Sequence, residues 1–287
     1  MSHLRNLFHK PPGPQPISSA APLAAVAEKI VTSASVATAT PVLPEFPVEQ
    51  AQVRPENRLV YYADPRSPAA DRYRLLRMKL KTFWTAGKLK KLLITSPLAH
   101  DGKSTVVLNL ATALAERGKR TVLVVEADLH HASLAEILRL KPWVGLADCL
   151  SDDATPPLSA IRRIEPLGWY LLPAGEPRKN ATELLQALGP VMEQLSPYFD
   201  WILIDSPPVI PLTDPISLLQ HADASLLVVR AGRTPREAVE QTIELIGKKN
   251  TIGIVLNGME ARDHLYYQYY GGTSNRTMSE PILWRHF

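Results

Sequence analysis

The most specific chemical signature lies in ten consecutive residues, Ser96-Pro97-Leu98-Ala99-His100-Asp101-Gly102-Lys103-Ser104-Thr105. Gly-Lys-Ser-Thr placed directly after an apolar run, and opening an apolar-periodic segment, is the core of a phosphate-binding loop. Backbone N–H groups from His100 to Thr105 can converge on one point, and a helix start favours an anion there. His100, Asp101, Gly102, Lys103, Ser104 and Thr105 are therefore candidate nucleotide-binding residues. Lys103 would reach the β- and γ-phosphates, and the Ser104 hydroxyl would ligate Mg²⁺. The strict loop pattern asks for glycine at position 97, where this chain carries proline. The competing reading is an ordinary strand–turn–helix corner capped by Asp101.

Two further apolar runs end in acids. Val122-Leu123-Val124-Val125 leads to Glu126-Ala127-Asp128, and Trp201-Ile202-Leu203-Ile204 leads to Asp205-Ser206-Pro207-Pro208. A carboxylate at the end of a buried strand near a phosphate loop can hold Mg²⁺, which demands oxygen ligands. Asp205 fits that role by position. Glu126 and Asp128, two apart at a strand end, point to one face; one would hold metal and the other accept a proton from an attacking hydroxyl. The competing reading of each acid alone is a helix cap or a solvated loop residue.

The third cluster is aromatic. Of nine tyrosines, Tyr266, Tyr267, Tyr269 and Tyr270 crowd the segment before Gly271-Gly272. An aromatic cluster on a tail reads either as phosphate acceptors or as an interface patch of stacked rings. Tyr61-Tyr62 is a weaker alternative acceptor pair.

The elements that must position these residues follow from hydrophobic periodicity. Ser67-Pro68 starts a helix, and Tyr73, Leu76, Leu80 and Phe83 give it an apolar stripe over 68–85, closed by Gly87. Apolar strands are expected over 89–95, 121–127, 169–172, 201–205, 224–230 and 252–257. Helices are expected over 103–117, near 133–139, and over 181–195, 214–221 and 235–247. Throughout-apolar strands alternating with helices predict an α/β fold, a doubly wound and mostly parallel sheet covered on both faces. Ligands of such sheets bind beyond the carboxyl ends of the strands, where the polar motifs lie.

Composition bounds the rest. Of 26 prolines in 287 residues, those at 11, 12, 14, 16, 22, 41, 44, 47 and 55 break up a Pro/Ala/Ser/Thr-rich start. Residues 1–60 are expected to form a flexible tether, 61–260 the phosphate-loop domain and 261–287 a tyrosine-rich tail. One cysteine, Cys149, excludes a disulfide framework and a cysteine-rich metal site, and fits a reducing compartment. A net charge of +4, widely spread, gives no reason to infer nucleic acid and is as compatible with an anionic membrane surface. With no spanning apolar run and no secretory h-region at the start, the expectation is a soluble, intracellular protein.

Together these pieces resemble the bacterial tyrosine kinases of capsular and exopolysaccharide biosynthesis, in their stand-alone, CpsD/CapB-like form. The resemblance covers about residues 60–272 and rests on several stretches of sequence. They are Gly102-Lys103-Ser104-Thr105, Glu126-Ala127-Asp128, Ile204-Asp205-Ser206-Pro207-Pro208 with Thr213-Asp214, and Leu227-Val228-Val229-Arg230-Ala231-Gly232 with Thr234-Pro235-Arg236-Glu237. The tyrosine tail completes them. The fold it implies is the MinD/ParA-like, deviant Walker branch of phosphate-loop ATPases.

What the resemblance implies is autophosphorylation on tyrosine from ATP and Mg²⁺. Lys103, Asp128, Glu126 and Asp205 would be catalytic; Ser104, Asp205 and Glu126 would hold Mg²⁺; Asn257 would join the nucleotide site. Tyr266, Tyr267, Tyr269 and Tyr270 would be phosphoacceptors. Asp71-x-x-Arg74-x-x-Arg77 resembles the family's Glu-x-x-Arg-x-x-Arg helix, which mediates ring-like self-association; alone it reads as a solvated face with i,i+3 pairs. Implied partners are the cytoplasmic tail of an inner-membrane chain-length regulator and a cognate phosphotyrosine phosphatase, with the chain peripheral at the inner face of the membrane.

The chain departs from the family at Ala99-His100 (usually Pro-Gly), at Glu126 (usually Asp) and at His130-His131-Ala132 (usually Arg-Arg-Pro). These departures support a rival reading, a nucleotide-binding degenerate kinase acting as an assembly scaffold. A MinD/ParA-like positioning ATPase is a second rival, although Ser96-Pro97-Leu98-Ala99 lacks the extra lysine of that class and the tyrosine tail has no purpose in it.

Overall fold

The computed structural model describes residues 41–151 and 155–258, with the backbone of 283–285. In chain order its elements begin with strand β1 (Val48–Gln50) and helices α1 (Val60–Ala63) and α2 (Pro68–Thr85). Next come β2 (Lys91–Thr95), α3 (Lys103–Ala115), β3 (Val122–Glu126), α4 (Leu134–Ile137) and α5 (Leu146–Ser151). Strands β4 (Arg162–Glu165) and β5 (Trp169–Leu172) precede α6 (Ala181–Leu184) and α7 (Leu188–Leu195). The last stretch holds β6 (Trp201–Asp205), α8 (Asp214–Leu219), β7 (Ala224–Arg230), α9 (Arg236–Ile246), β8 (Thr251–Asn257) and β9 (Leu283–Arg285).

The strands form one nine-stranded sheet in the order β1-β4-β5-β3-β6-β2-β7-β8-β9. Neighbours are parallel except β4 with β5 and β8 with β9. The six strands from β5 to β8 in that order are the six that apolar periodicity predicts. Alternate residues of one strand feed opposite faces. Leu92 and Ile94 join a cluster with Tyr73, Leu76, Leu80 and the buried face of α3, whereas Leu93 joins Leu185, Leu188, Met192 and Leu195 on the other side. Burial on both faces is what removes polar residues from the central strands.

Helix α2 starts where Ser67 Oγ accepts the N–H of Ala70 at 3.2 Å and Pro68 fills the first helical position. It packs Ala69, Ala70, Tyr73, Leu76 and Leu80 inward.

Three of the differences from the sequence expectation concern the sheet edge and the helices that cover it. The tether expected over 1–60 gives way earlier, because β1 pairs with β4 and Phe46 packs edge-on against Tyr170 at 5.3 Å between ring centroids. Main-chain pairing of three residues needs no side-chain periodicity, so composition does not reveal it. Strand β4 is also new; only Ile164 of its four residues is buried. The helix expected over 181–195 is broken by a 3₁₀ turn at Leu185–Ala187. Pro190 is the reason: it has no N–H to continue the ladder and is tolerated only in the first turn of the restarted helix, α7.

Candidate functional site

The carboxyl ends of β2, β3 and β6 lie side by side, with Glu126 in register with Asp205 and Ile94 with Asp205. The loop from β2 to α3 wraps over this edge. Helix α3 begins at Gly102, which sits at φ 95° and offers no side-chain cap, so the first N–H groups of α3 have no side-chain acceptor from that position. That is the electrostatic requirement for an anion at a helix start. His100, at φ 65°, also takes the left-handed conformation. Asp101 is not the cap of a plain corner. Its Oδ2 accepts the N–H of Leu98 at 3.1 Å, its Oδ1 accepts the Thr234 hydroxyl at 2.7 Å, and its carbonyl accepts Asn257 Nδ2 at 3.0 Å. Asp101 is therefore the hub that ties the loop to the ends of β7 and β8, and Asn257 supports the loop from beneath.

A cavity of about 630 Å³ opens over the loop, lined by His100, Gly102, Lys103, Ser104 and Thr105 on one side. Asp128, His131 and Ser133 line it from the β3 exit, and Pro208, Pro211 and Leu212 from the β6 exit. Lys103 is only 8 % exposed and Asp128 likewise 8 %. The Ser104 hydroxyl donates to Asp205 Oδ2 at 3.5 Å and lies 3.2 Å from the Ser133 hydroxyl. Asp128 Oδ1 accepts the N–H of His131 at 3.1 Å.

Asp205 is buried, and its Oδ1 has no hydrogen-bond partner. Desolvation pushes its carboxyl up to about 8, against the opposing pull of Lys103 and with Glu126 and Asp128 adding to the rise. A buried carboxylate with an orphaned oxygen beside a serine hydroxyl fits a hard divalent cation, which keeps most of its other ligands as water and substrate phosphate.

Glu126 does something else. It is 1 % exposed, its Oε1 accepts the N–H groups of Ser133 at 2.7 Å and Leu134 at 2.6 Å, and its Oε2 accepts that of Ala174 at 3.1 Å. Burial raises its pKa while those three N–H groups hold it down. Its two oxygens thus pin the start of α4 and the loop after β5, and any metal role for Glu126 has to share them with those three N–H groups. The extra methylene relative to aspartate is what lets one carboxylate reach both.

The cavity thus brings together six of the residues named from sequence: His100, Gly102, Lys103, Ser104, Thr105 and Asp128. Asp101, Asn257, Asp205 and Glu126 lie outside its lining and shape it. Asp71, Arg74 and Arg77 lie elsewhere, on α2, and have partners within the chain. Arg74 pairs with Asp71 and donates to the Pro65 carbonyl, and Arg77 donates to the Ala113 carbonyl at 3.1 Å. Tyr266, Tyr267, Tyr269 and Tyr270 lie outside the described residues. Sequence reasoning missed Ser133 and Thr234. Both are single hydroxyls in polar loops, and only the fold sets them against Ser104 and Asp101. It also missed the pairing of His130 Nε2 with Asp214 Oδ2 at 2.7 Å.

No family model matches the chain. It is 27 % identical over 226 residues to a protein named tyrosine-protein kinase YwqD of Bacillus subtilis, covering 77 % of this chain and 94 % of that one. It is 29 % identical over 228 residues to the succinoglycan biosynthesis transport protein ExoP of Rhizobium meliloti, covering 72 % of this chain but 29 % of that one. The chain therefore spans nearly all of the first relative and under a third of the second. Among solved structures it is similar to the chimerical protein CapA2B2, with a TM-score of 0.64 and 26 % identity over 75 % of this chain and 95 % of that one. It is also similar to the septum site-determining protein MinD of Pyrococcus horikoshii complexed with Mg-ADP, with a TM-score of 0.52 and 27 % identity over 61 % and 72 %.

Proposed function

We propose that this chain, a relative of the bacterial tyrosine kinases, transfers the γ-phosphoryl group of ATP to tyrosine hydroxyls and so regulates capsule or exopolysaccharide biosynthesis. The observation that carries the reading is that Lys103, Ser104 and Asp128 line one cavity, with buried Asp205 hydrogen-bonded to Ser104. In this scheme the N–H groups at the start of α3 and the Lys103 ammonium hold the β- and γ-phosphates. Ser104 and Asp205 hold Mg²⁺, which when bound neutralises phosphate charge. The tyrosine oxygen attacks the γ-phosphorus, the bond from that phosphorus to the bridging oxygen of ADP breaks, and Asp128 takes the phenolic proton. Tyr266, Tyr267, Tyr269 and Tyr270 are the proposed acceptors. Delivery between copies through the Asp71-Arg74-Arg77 helix, activation by a membrane regulator's cytoplasmic tail and reversal by a phosphatase complete the proposal. The chain itself has no helix, among the described residues, long and apolar enough to cross a membrane.

The test is label from γ-labelled ATP on the full chain with Mg²⁺ and the activating tail. Phosphotyrosine mapping to 262–276 and lost in Lys103→Met supports the proposal; absence of label on the wild type overturns it. One observation favours the scaffold reading instead: both Glu126 oxygens already accept main-chain N–H groups. Nucleotide binding by calorimetry with no phosphotyrosine by mass spectrometry would establish that alternative.

A further inference from the structure

A second cavity, of about 530 Å³, lies at the opposite end of the sheet, around the far terminus of α3. The 13 residues of α3 place it about 20 Å from Lys103 along the helix axis. Three separate segments send cations into it: Arg74 and Arg77 from α2, Arg117 and Lys119 from the turn after α3, and Arg163 from β4. Two carboxylates, Glu116 and Glu165, line it as well. Glu165 already pairs with Arg163 at 2.7 Å, and Glu116 lies 3.9 Å from Lys81. Arg77 is spent on Ala113 and stands 3.4 Å from the Tyr61 hydroxyl. Arg117 and Lys119 are exposed and have no partner among the described residues.

Arg74, paired with Asp71 and the Pro65 carbonyl, Arg77 and Arg163 have partners within the chain, so the unbalanced charge is that of Arg117 and Lys119. Like charges gathered around one concavity repel each other and focus a positive field into it. The backbone contributes too: Glu116, Arg117 and Gly118 take φ values of 49°, 61° and 80°, three successive left-handed residues of which two are not glycine. Such strain persists only where the surrounding structure over-determines it, and it gathers at functional sites. Here it ends α3 and turns Arg117 and Lys119 to the cavity mouth. Tyr61 and Tyr62 add flat aromatic surface to the same wall.

We propose that this cavity binds a diphosphate-bearing small molecule, with a nucleoside diphosphate as the chemical class. Its volume lies within the range of small-molecule sites and exceeds what one inorganic phosphate fills. Guanidinium groups recognise phosphate oxygens in pairs, and the tyrosine rings supply a face for a base or sugar. The site is separate from the phosphate loop and does not depend on kinase activity.

The test uses the full chain saturated with Mg²⁺ and a non-hydrolysable ATP analogue, so that the phosphate loop is filled. UDP, and in a second arm inorganic pyrophosphate, is then titrated by calorimetry. The expected result is one further site for UDP, weakened about tenfold or more in Arg117→Glu/Lys119→Glu while affinity for the ATP analogue stays unchanged, which also reports that the variant folds. Pyrophosphate binding with the same dependence supports the diphosphate as the recognised group. No UDP binding at millimolar concentration overturns the proposal, as does binding that the double variant leaves intact. Loss of a self-associated form with UDP affinity unchanged also overturns it, and assigns the face to a second copy of the chain.

Discussion

Gly102 and Asn257 meet so closely that a Cβ on Gly102 would stand 2.0 Å from Asn257 Nδ2. The same Nδ2 donates to the Asp101 carbonyl, so the amide holds the loop in place and at the same time excludes any side chain at 102. Gly102 also sits at φ 95°, which an L-residue adopts at a cost. Gly102→Ala is therefore expected to push Asn257 away and open the loop. Nucleotide affinity should fall at least about tenfold, and stability by roughly 1–3 kcal/mol. Calorimetry with an ATP analogue and urea unfolding measure the two effects. Unchanged affinity would show that Asn257 does not set the loop.

Asp205 makes a prediction of opposite sign for stability. Its folded-state pKa is raised to about 8, so the folded state favours the protonated acid. The stability this group contributes is fully present below its unfolded pKa, near 4, and is lost as pH rises towards 8. Asp205→Asn removes the ionisable group while keeping its size. Without Mg²⁺ the variant should melt higher than the wild type at pH 8, by about 2–4 °C or more, with the difference shrinking towards pH 4. Mg²⁺ with nucleotide should stabilise the wild type more than the variant. A variant that melts lower at pH 8 without metal would refute this account.

Glu126 has both carboxylate oxygens on main-chain N–H groups. Glu126→Gln keeps a carbonyl oxygen but replaces one acceptor by an NH₂ that cannot accept from main-chain N–H groups. Glu126→Ala leaves the donors of Ser133, Leu134 and Ala174 without a partner. A buried donor left unsatisfied costs about 1–3 kcal/mol. The alanine variant is expected to lose roughly 3 kcal/mol or more by urea unfolding and the glutamine variant less. In the glutamine variant, Mg²⁺ affinity in the presence of nucleotide should stay within about threefold of wild type if Ser104 and Asp205 hold the metal and Glu126 holds the loops. A larger loss of Mg²⁺ affinity than of stability would return Glu126 to the metal site.

The contrast between these acids shows what periodicity and motif could reveal. Lys103, Ser104 and Asp128 are placed by local rules: a strand ends, a turn follows, a helix begins, and the side chains at the junction face the ligand end of the sheet. The six central strands are equally legible, because two buried faces leave runs such as Val122-Leu123-Val124-Val125. Strand β4 was not legible, since Arg162-Arg163-Ile164-Glu165 buries one residue and reads as a charged loop. Nor was the fate of Glu126. Ala174 is brought to it by the pairing of β3 with β5, and Ser133 and Leu134 by the fold-back of the loop after β3, neither of which a spacing in the sequence encodes. Nor was the bond to Asp101 from Thr234, which lies in the turn after β7.

His130 occupies a position where the family resemblance leads one to expect arginine, and its partner decides what a substitution there does. Asp214 is 1 % exposed; its Oδ2 meets His130 Nε2 at 2.7 Å and its Oδ1 has no partner. The pair ties the loop after β3 to the first turn of α8, beside the cavity that Asp128 and Leu212 both line. His130→Ala would strand both carboxylate oxygens and is expected to cost about 1–3 kcal/mol. It should also loosen the loop that holds Asp128. His130→Arg restores a donor that is charged at every accessible pH and can bond both oxygens of one carboxylate. The arginine variant should therefore match or exceed wild-type stability. Urea unfolding of the three proteins at pH 8 checks this. Equal stability of the alanine variant and the wild type would mean that Asp214 finds its stabilisation elsewhere, and that the β3 loop is held by Glu126 alone.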